Sequence, residues 1–284
     1  MNDTPFGGKD SNWTDYKSAK IIVFSVPYDC TATWQKGADL GPEAILEASA
    51  HVELYDIETD SEVHSHGIHT FRLSNLPGSP EELTHVIRQK FSSFITDGKF
   101  PVMLGGNHSI TPGAVQGIKD HFSDLTVLQL DAHADLKESY NGSMFNHACV
   151  MTRVKEVCPA IQVGMRAMDR EECNRLDMSR VFLARDIFLK DDWIDKVVEL
   201  LSFHVYVTID LDVFDPSIIP STGTPEPGGL DWYQIIGLLR TVAQKRYVVG
   251  FDVVELMPNK YNKAPDFVAA KLVFQFLSYI FKHR

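Results

Sequence analysis

The segment LQLDAHADL, Leu128 to Leu136, sets Asp131, His133 and Asp135 two residues apart at the end of an apolar run. In an extended strand, residues i, i+2 and i+4 share one face. If the strand continues past its apolar part, the two carboxylates and the imidazole converge. VTIDLDVFDP repeats the pattern with Asp210 and Asp212, and VMLGGNHSI places His108 just beyond a third apolar run. Each acid taken alone reads equally well as a cap or a surface charge. Together, three strand ends offer four carboxylates and two imidazoles to one place. Such a cluster repels itself unless cations enter or some acids stay protonated. Two divalent ions would balance four aspartates. The donors are oxygen and nitrogen with no thiolate, which disfavours structural zinc and suits Mn²⁺, with Fe²⁺, Co²⁺ or Ni²⁺ as alternatives. Paired ions about 3.5–4 Å apart activate water at neutral pH, so the expected chemistry is hydrolysis.

The residues need elements to carry them. Short, nearly continuous apolar runs recur as AKIIVFSV, FPVMLGG, LTVLQLD, AIQVGM, RVFLA, HVYVTIDLDV and RYVVGFDVVE. Runs of this kind are strands covered on both faces. Helical periodicity lies between them, at 80–97, 191–202, 230–244 and 264–282. Thr111-Pro112 and Gly41-Pro42 read as helix starts, with proline in the first turn. The alternation predicts a single α/β domain over residues 1–284 with a mostly parallel sheet, its ligands gathered beyond the carboxyl ends of the strands. Composition predicts loose order over the first 18 or so residues. Residues 58–70 read as a surface loop leading into a short strand. His64, His66 and His69 in that loop read as solvated residues, not metal ligands.

Bulk properties narrow the function. The chain has 284 residues, 44% apolar and 23% charged, with a net charge of −11. An acidic chain lacks the basic footprint of a nucleic-acid binder. Cys30, Cys149, Cys158 and Cys173 have no CxxC spacing and are expected to be reduced thiols. No apolar run reaches the ~20 residues expected of a membrane span. The polar start MNDTPFGGKDSNWTDYKS has no signal-peptide pattern, so a cytoplasmic protein with no membrane partner is expected.

GGNHS, DAHAD and DLDVFDPSIIPSTGTPEPGGL resemble, in order and context, the signature segments of the ureohydrolase family, the arginases and agmatinases. The resemblance runs from SVPYDCTATWQKGADLGPEAI to GFDVVELMP. It implies a three-layer α/β/α fold with a central eight-stranded parallel sheet, a two-Mn²⁺ centre, and hydrolysis of a guanidino group to urea and an amine. It places His108, Asp131, Asp135 and Asp210 on one ion and His133, Asp131, Asp210 and Asp212 on the other. It makes His147, in FNHACVM, the proton-exchanging histidine, although a histidine before a helix read alone is more often a cap. It gives Glu255 the guanidinium, Asp135 a proton-relay role, Thr224 a place beside the substrate, and Asp252 a supporting position. Lys137, where arginases carry a polar segment with an asparagine, and the Tyr-x-Gly before His147 are similar to the agmatinase form. Asp169 lies near a position where arginases contact the substrate amine. GPEAILEAS lacks a common arginine, and HACVM departs from the commoner HG form. The implied substrate is agmatine, with arginine, guanidinobutyrate, guanidinopropionate or formimidoylglutamate as rivals. A one-zinc deacetylase-like amidohydrolase on the same fold and an inactive binding homologue are the readings of a different class. A homo-oligomer, trimer or hexamer, is also implied.

Overall fold

The computed structural model describes residues 4–8, 15–190, 192–282 and 284. Its framework is one sheet of strands β1 (Ile21–Val26), β2 (Ile68–Arg72), β3 (Phe100–Gly105), β4 (Thr126–Leu130), β5 (Ala160–Met165), β6 (Val181–Leu183), β7 (His204–Asp210) and β8 (Tyr247–Val254). The order across the sheet is β2-β1-β3-β8-β7-β4-β5-β6, and every pairing is parallel. β2, the short strand expected to follow the histidine-containing loop, begins inside the expected loop bounds of 58–70 and takes in His69, and it forms the edge beside β1.

Parallel strands need crossovers, and helices supply them. In chain order these are α1 (Gly41–Ser49), α2 (Pro80–Thr96), α3 (Thr111–Lys119), α4 (Val150–Lys155), α5 (Arg170–Cys173), α6 (Ala184–Phe188), α7 (Trp193–Leu200), α8 (Trp232–Lys245) and α9 (Ala264–Lys282). Alternate residues of one strand serve opposite cores. Ile21 and Val23 of β1 join a core closed by α1, α7, α8 and α9. Ile22, Phe24 and Val26 join a second core closed by α2, α3 and α4. This two-sided burial is why the strands read as unbroken apolar runs and not as alternating ones. The result is the three-layer α/β/α fold. Ser79 caps α2 through its hydroxyl with Pro80 at the first position, and Asp231 with Gln234 forms a capping box on α8. α9 is long and apolar enough in composition to cross a membrane, but most of it is buried in the first core.

Three expectations need adjustment. Of the first 18 residues, 1–3 and 9–14 lie outside the described ones, and Phe6 is not loose: it is buried and stacks on Phe274. An aromatic ring that finds an apolar slot outweighs the polar composition around it. His66 and His69 are half-buried; His66 packs on the Phe281 ring and His69 meets the edge of Tyr16. The third concerns the strand ends that carry the chemistry.

Candidate metal centre and active-site cavity

The four central strands, β3, β8, β7 and β4, deliver the site residues from their carboxyl ends. β4 stops at Leu130, so Asp131, His133 and Asp135 are not on a continued strand. They converge through a folded loop. His133 N–H donates to Asp131 Oδ1 at 2.6 Å, His133 bridges to Ala167, and Asp135 takes a left-handed backbone with φ 52°. Asp212 likewise sits on a 3-10 turn after β7, where its N–H donates to Asp210 Oδ1 at 2.9 Å. Paired acids in these segments cap their own chain, which turns the backbone sharply at the strand end.

Glu255 follows β8 with φ 66°. Its N–H donates to Gly106 O at 2.7 Å, and its Oε1 accepts from His108 N at 2.7 Å. Gly106 has no room for a side chain, since a Cβ there would strike the Tyr28 carbonyl. Left-handed backbone at non-glycine residues costs energy and persists where surroundings impose it. Two of the four described instances, Asp135 and Glu255, belong to this site.

His108, His133, Asp135, His147, Asp210, Asp212, Thr224 and Glu255 line one cavity, and Asp131 is fully buried behind the two histidines. His108 Nδ1 lies 3.1 Å from Asp131 Oδ2, 3.1 Å from Asp135 Oδ2 and 3.5 Å from Asp210 Oδ2. His133 Nδ1 lies 2.9 Å from Asp212 Oδ2 and 3.6 Å from Asp131 Oδ1. Two groups with metal-ligand spacing result, His108–Asp131–Asp135 and Asp131–His133–Asp212, and Asp131 is common to both.

The support behind His108 shows what belongs there. Its Nε2 lies 2.8 Å from Thr208 Oγ1, and Thr208 commits its own proton to Asp252 Oδ1 at 2.6 Å. Thr208 therefore accepts from Nε2–H. Asp252, wholly buried, also accepts from Thr111 and Tyr206. With the ring proton fixed on Nε2, the neutral ring turns the lone pair of Nδ1 toward three carboxylate oxygens. Nδ1 makes no well-formed hydrogen bond. A lone pair facing oxygens is repulsive unless a proton or a metal ion lies between them, and a buried imidazole nitrogen with three carboxylate oxygens is a donor set that fits a metal ion.

The acid–base balance agrees. Burial, then the Asp131 charge, pushes the Asp135 carboxyl up to about 7. Burial holds Asp210 well above the carboxylate range and raises Glu255 to about 8. Burial opposes charge on His108 and His133 too, yet the acids around them outweigh it, holding His108 well above its usual value and His133 at about 12. Asp131 goes the other way, because the two histidines beside it outweigh its burial. Protons thus occupy the places where cations would bind.

His147 starts a 3-10 turn capped by Asn146, at the cavity wall beside Tyr140. Thr31 Oγ1 accepts from Asn107 Nδ2 at 2.7 Å and from His147 N at 3.2 Å, and lies 3.2 Å from His147 Nδ1. Its hydroxyl proton is left for Nδ1, so the neutral imidazole carries its proton on Nε2. Burial lowers the His147 pKa to about 4, keeping the ring neutral near pH 7.

Arginase family is the description of the family model that matches residues 19–278. The chain belongs to the arginase family. It is 37% identical over 277 residues to the N(1)-aminopropylagmatine ureohydrolase of Synechocystis sp., covering 94% of this chain and 90% of that one. It is 35% identical over 266 residues to the agmatinase of Pyrococcus horikoshii, covering 92% of each. The agmatine ureohydrolase of Thermoplasma volcanium superposes with a TM-score of 0.89 at 31% identity, over 100% of this chain and 96% of that one. The chain is accordingly a metal-dependent amidinohydrolase, a ureohydrolase most like agmatinase, with a binuclear metal site.

Several contributors escaped sequence reasoning. Thr31 lies 116 residues from His147, and Thr208 lies 100 from His108. Arg166 ties Asp212, Val213, Phe214 and Glu226 together through their carbonyls and so fixes the loop bearing Asp212. Asp169 does not face the cavity: it caps α5 in a capping box with Glu172 and pairs with Lys137.

Proposed function

We propose that this chain hydrolyses the guanidino group of agmatine to putrescine and urea at a two-manganese centre. His108, Asp131, Asp135 and Asp210 would hold one ion, and His133, Asp131, Asp210 and Asp212 the other. Bound, the ions supply an activated water and take up developing negative charge. The chain's own residues do the rest. Glu255 accepts hydrogen bonds from the guanidinium and orients it. Asp135 passes a proton toward the leaving amine, and His147, neutral at rest, exchanges protons with solvent. Thr224 borders the substrate.

The observation that carries the choice of substrate is the charge of the cavity wall. Lys137 is the one lysine or arginine among the lining residues, and Asp169 and Glu172 already neutralise it. Among the described lining residues a substrate carboxylate finds no free cation, which argues against arginine, guanidino acids and formimidoylglutamate. An amine tail meets no such conflict. N(1)-aminopropylagmatine is the second reading, because a relative named for it is 37% identical over nearly the whole chain. The shared Asp131 favours two ions over the single zinc of a deacetylase-like site. Exposed Phe188 and Leu189 support association of copies.

Urea release is measured with Mn²⁺ across agmatine, N(1)-aminopropylagmatine, arginine, guanidinobutyrate and guanidinopropionate. Agmatine should give the highest kcat/KM, and the guanidino acids should trail by at least tenfold. A guanidino acid as best substrate would overturn the charge argument, and a higher kcat/KM for N(1)-aminopropylagmatine would install the second reading.

A further inference from the structure

Two glutamines stand where a sheet core should be apolar. Gln129 and Gln162 are 0% exposed, on β4 and β5, and they are register partners in that parallel pair. Their neighbours along the strands are Leu128, Leu130, Ile161 and Val163. A buried amide without partners is costly, so two facing amides in a sheet interior need a reason.

They form a directed chain. Lys155 Nζ, on α4, donates to Gln162 Oε1 at 2.9 Å. Gln162 Nε2 donates to Gln129 Oε1 at 2.6 Å and to Ala134 O at 3.0 Å. Gln129 Nε2 donates to Asp131 Oδ2 at 2.7 Å. The direction is forced from both sides. An ammonium can only donate and a backbone carbonyl can only accept, so Gln162 has one orientation. Its amide then requires the oxygen of Gln129, which leaves the Gln129 amide nitrogen toward Asp131.

We propose that Gln129 is a positioning residue for the metal centre, locked by Gln162 and Lys155 so that it orients the shared carboxylate of Asp131. The proposal rests on Asp131 as a ligand of both ions. Oδ1 accepts the His133 N–H and faces His133 Nδ1, while Oδ2 accepts the Gln129 amide and faces His108 Nδ1. Each oxygen therefore has one fixed donor behind it and one ion position before it. Without Gln129, Oδ2 has no such donor, and the carboxylate can rotate away from one ion.

The test is Mn²⁺ binding to metal-free protein, read by competition with a chelating dye and by the rise in Tm on adding Mn²⁺. Gln129→Met keeps length without polarity, and Gln162 retains Lys155 and Ala134 as partners. It should weaken Mn²⁺ binding ten- to a hundredfold and shrink the metal-induced rise in Tm, with cooperative melting of the metal-free protein preserved. Gln162→Met should give a smaller loss of the same kind. The double variant should lose less than the sum of the two single losses, because Gln162 acts on Asp131 through Gln129. Wild-type affinity in Gln129→Met, or additive losses in the double variant, would overturn the proposal. If Gln129→Met fails to fold, unchanged affinity in Gln162→Met would overturn it equally. Wild-type protein that binds no Mn²⁺ would instead refute Asp131 as a ligand, an outcome distinct from wild-type binding with indifferent variants.

Discussion

Thr208→Val isolates the support behind His108. Valine keeps the shape and removes the hydroxyl that accepts from His108 Nε2 and donates to Asp252 Oδ1. Losing a hydrogen bond to the buried carboxylate costs about 2 kcal/mol, and leaving Nε2–H without an acceptor costs about another 2. The added buried methyl returns about 1 kcal/mol. The metal-free protein should therefore lose about 3 kcal/mol. Asp252 keeps Thr111 and Tyr206, so the core should survive. The loosened His108 should also cost ten- to a hundredfold in metal affinity. Chemical denaturation of the metal-free variant gives the first quantity, and Mn²⁺ titration gives the second. A loss below about 1 kcal/mol with wild-type metal affinity would refute the claim that Thr208 fixes the ring.

Three further outcomes follow from the site. Glu255→Gln should keep its fold and both ions yet lose about 3 kcal/mol of transition-state stabilisation, roughly a hundredfold in kcat/KM on agmatine; near wild-type turnover would leave the acid purely structural. Asp131→Asn and Asp210→Asn should lose both ions by elemental analysis after desalting, whereas His108→Asn should keep one, and equal occupancy in all three would remove the shared-ligand assignment. His147 has its folded pKa depressed to about 4, so its neutral form stabilises the fold above the unfolded value of about 6.5. That stability is lost as pH falls from about 6.5 through 4, because the unfolded chain binds the proton first. In metal-free protein, the stability of wild type relative to His147→Asn should decline over that window by at most about 3 kcal/mol, and a pH-independent difference would show a ring that titrates normally.

What could be read from the chain depended on how local the signal was. Strand ends announced themselves because acids and histidines interrupt apolar runs, as in DAHAD and DLD. The i, i+2 reading of Asp131 to Asp135 predicted their convergence, but on a continued strand that the structure does not have. The chain turns there, with Asp131 capping the His133 N–H and Asp135 left-handed, and a strand pattern cannot reveal positive φ. Contacts between distant segments were silent. Gln129 and Gln162 are ordinary letters until β4 and β5 pair in register. Thr208 and Asp252 likewise meet only across β7 and β8. Phe6 was hidden by its polar neighbours, since composition averages over a segment and one ring fills one slot.

The central claim is a guanidino-amine hydrolase that needs two ions. Metal-free protein titrated with Mn²⁺, with urea released from agmatine as the readout, tests it most directly. Activity should rise to a plateau at two equivalents per chain. A plateau at one equivalent, or no urea at any Mn²⁺ concentration, would contradict it.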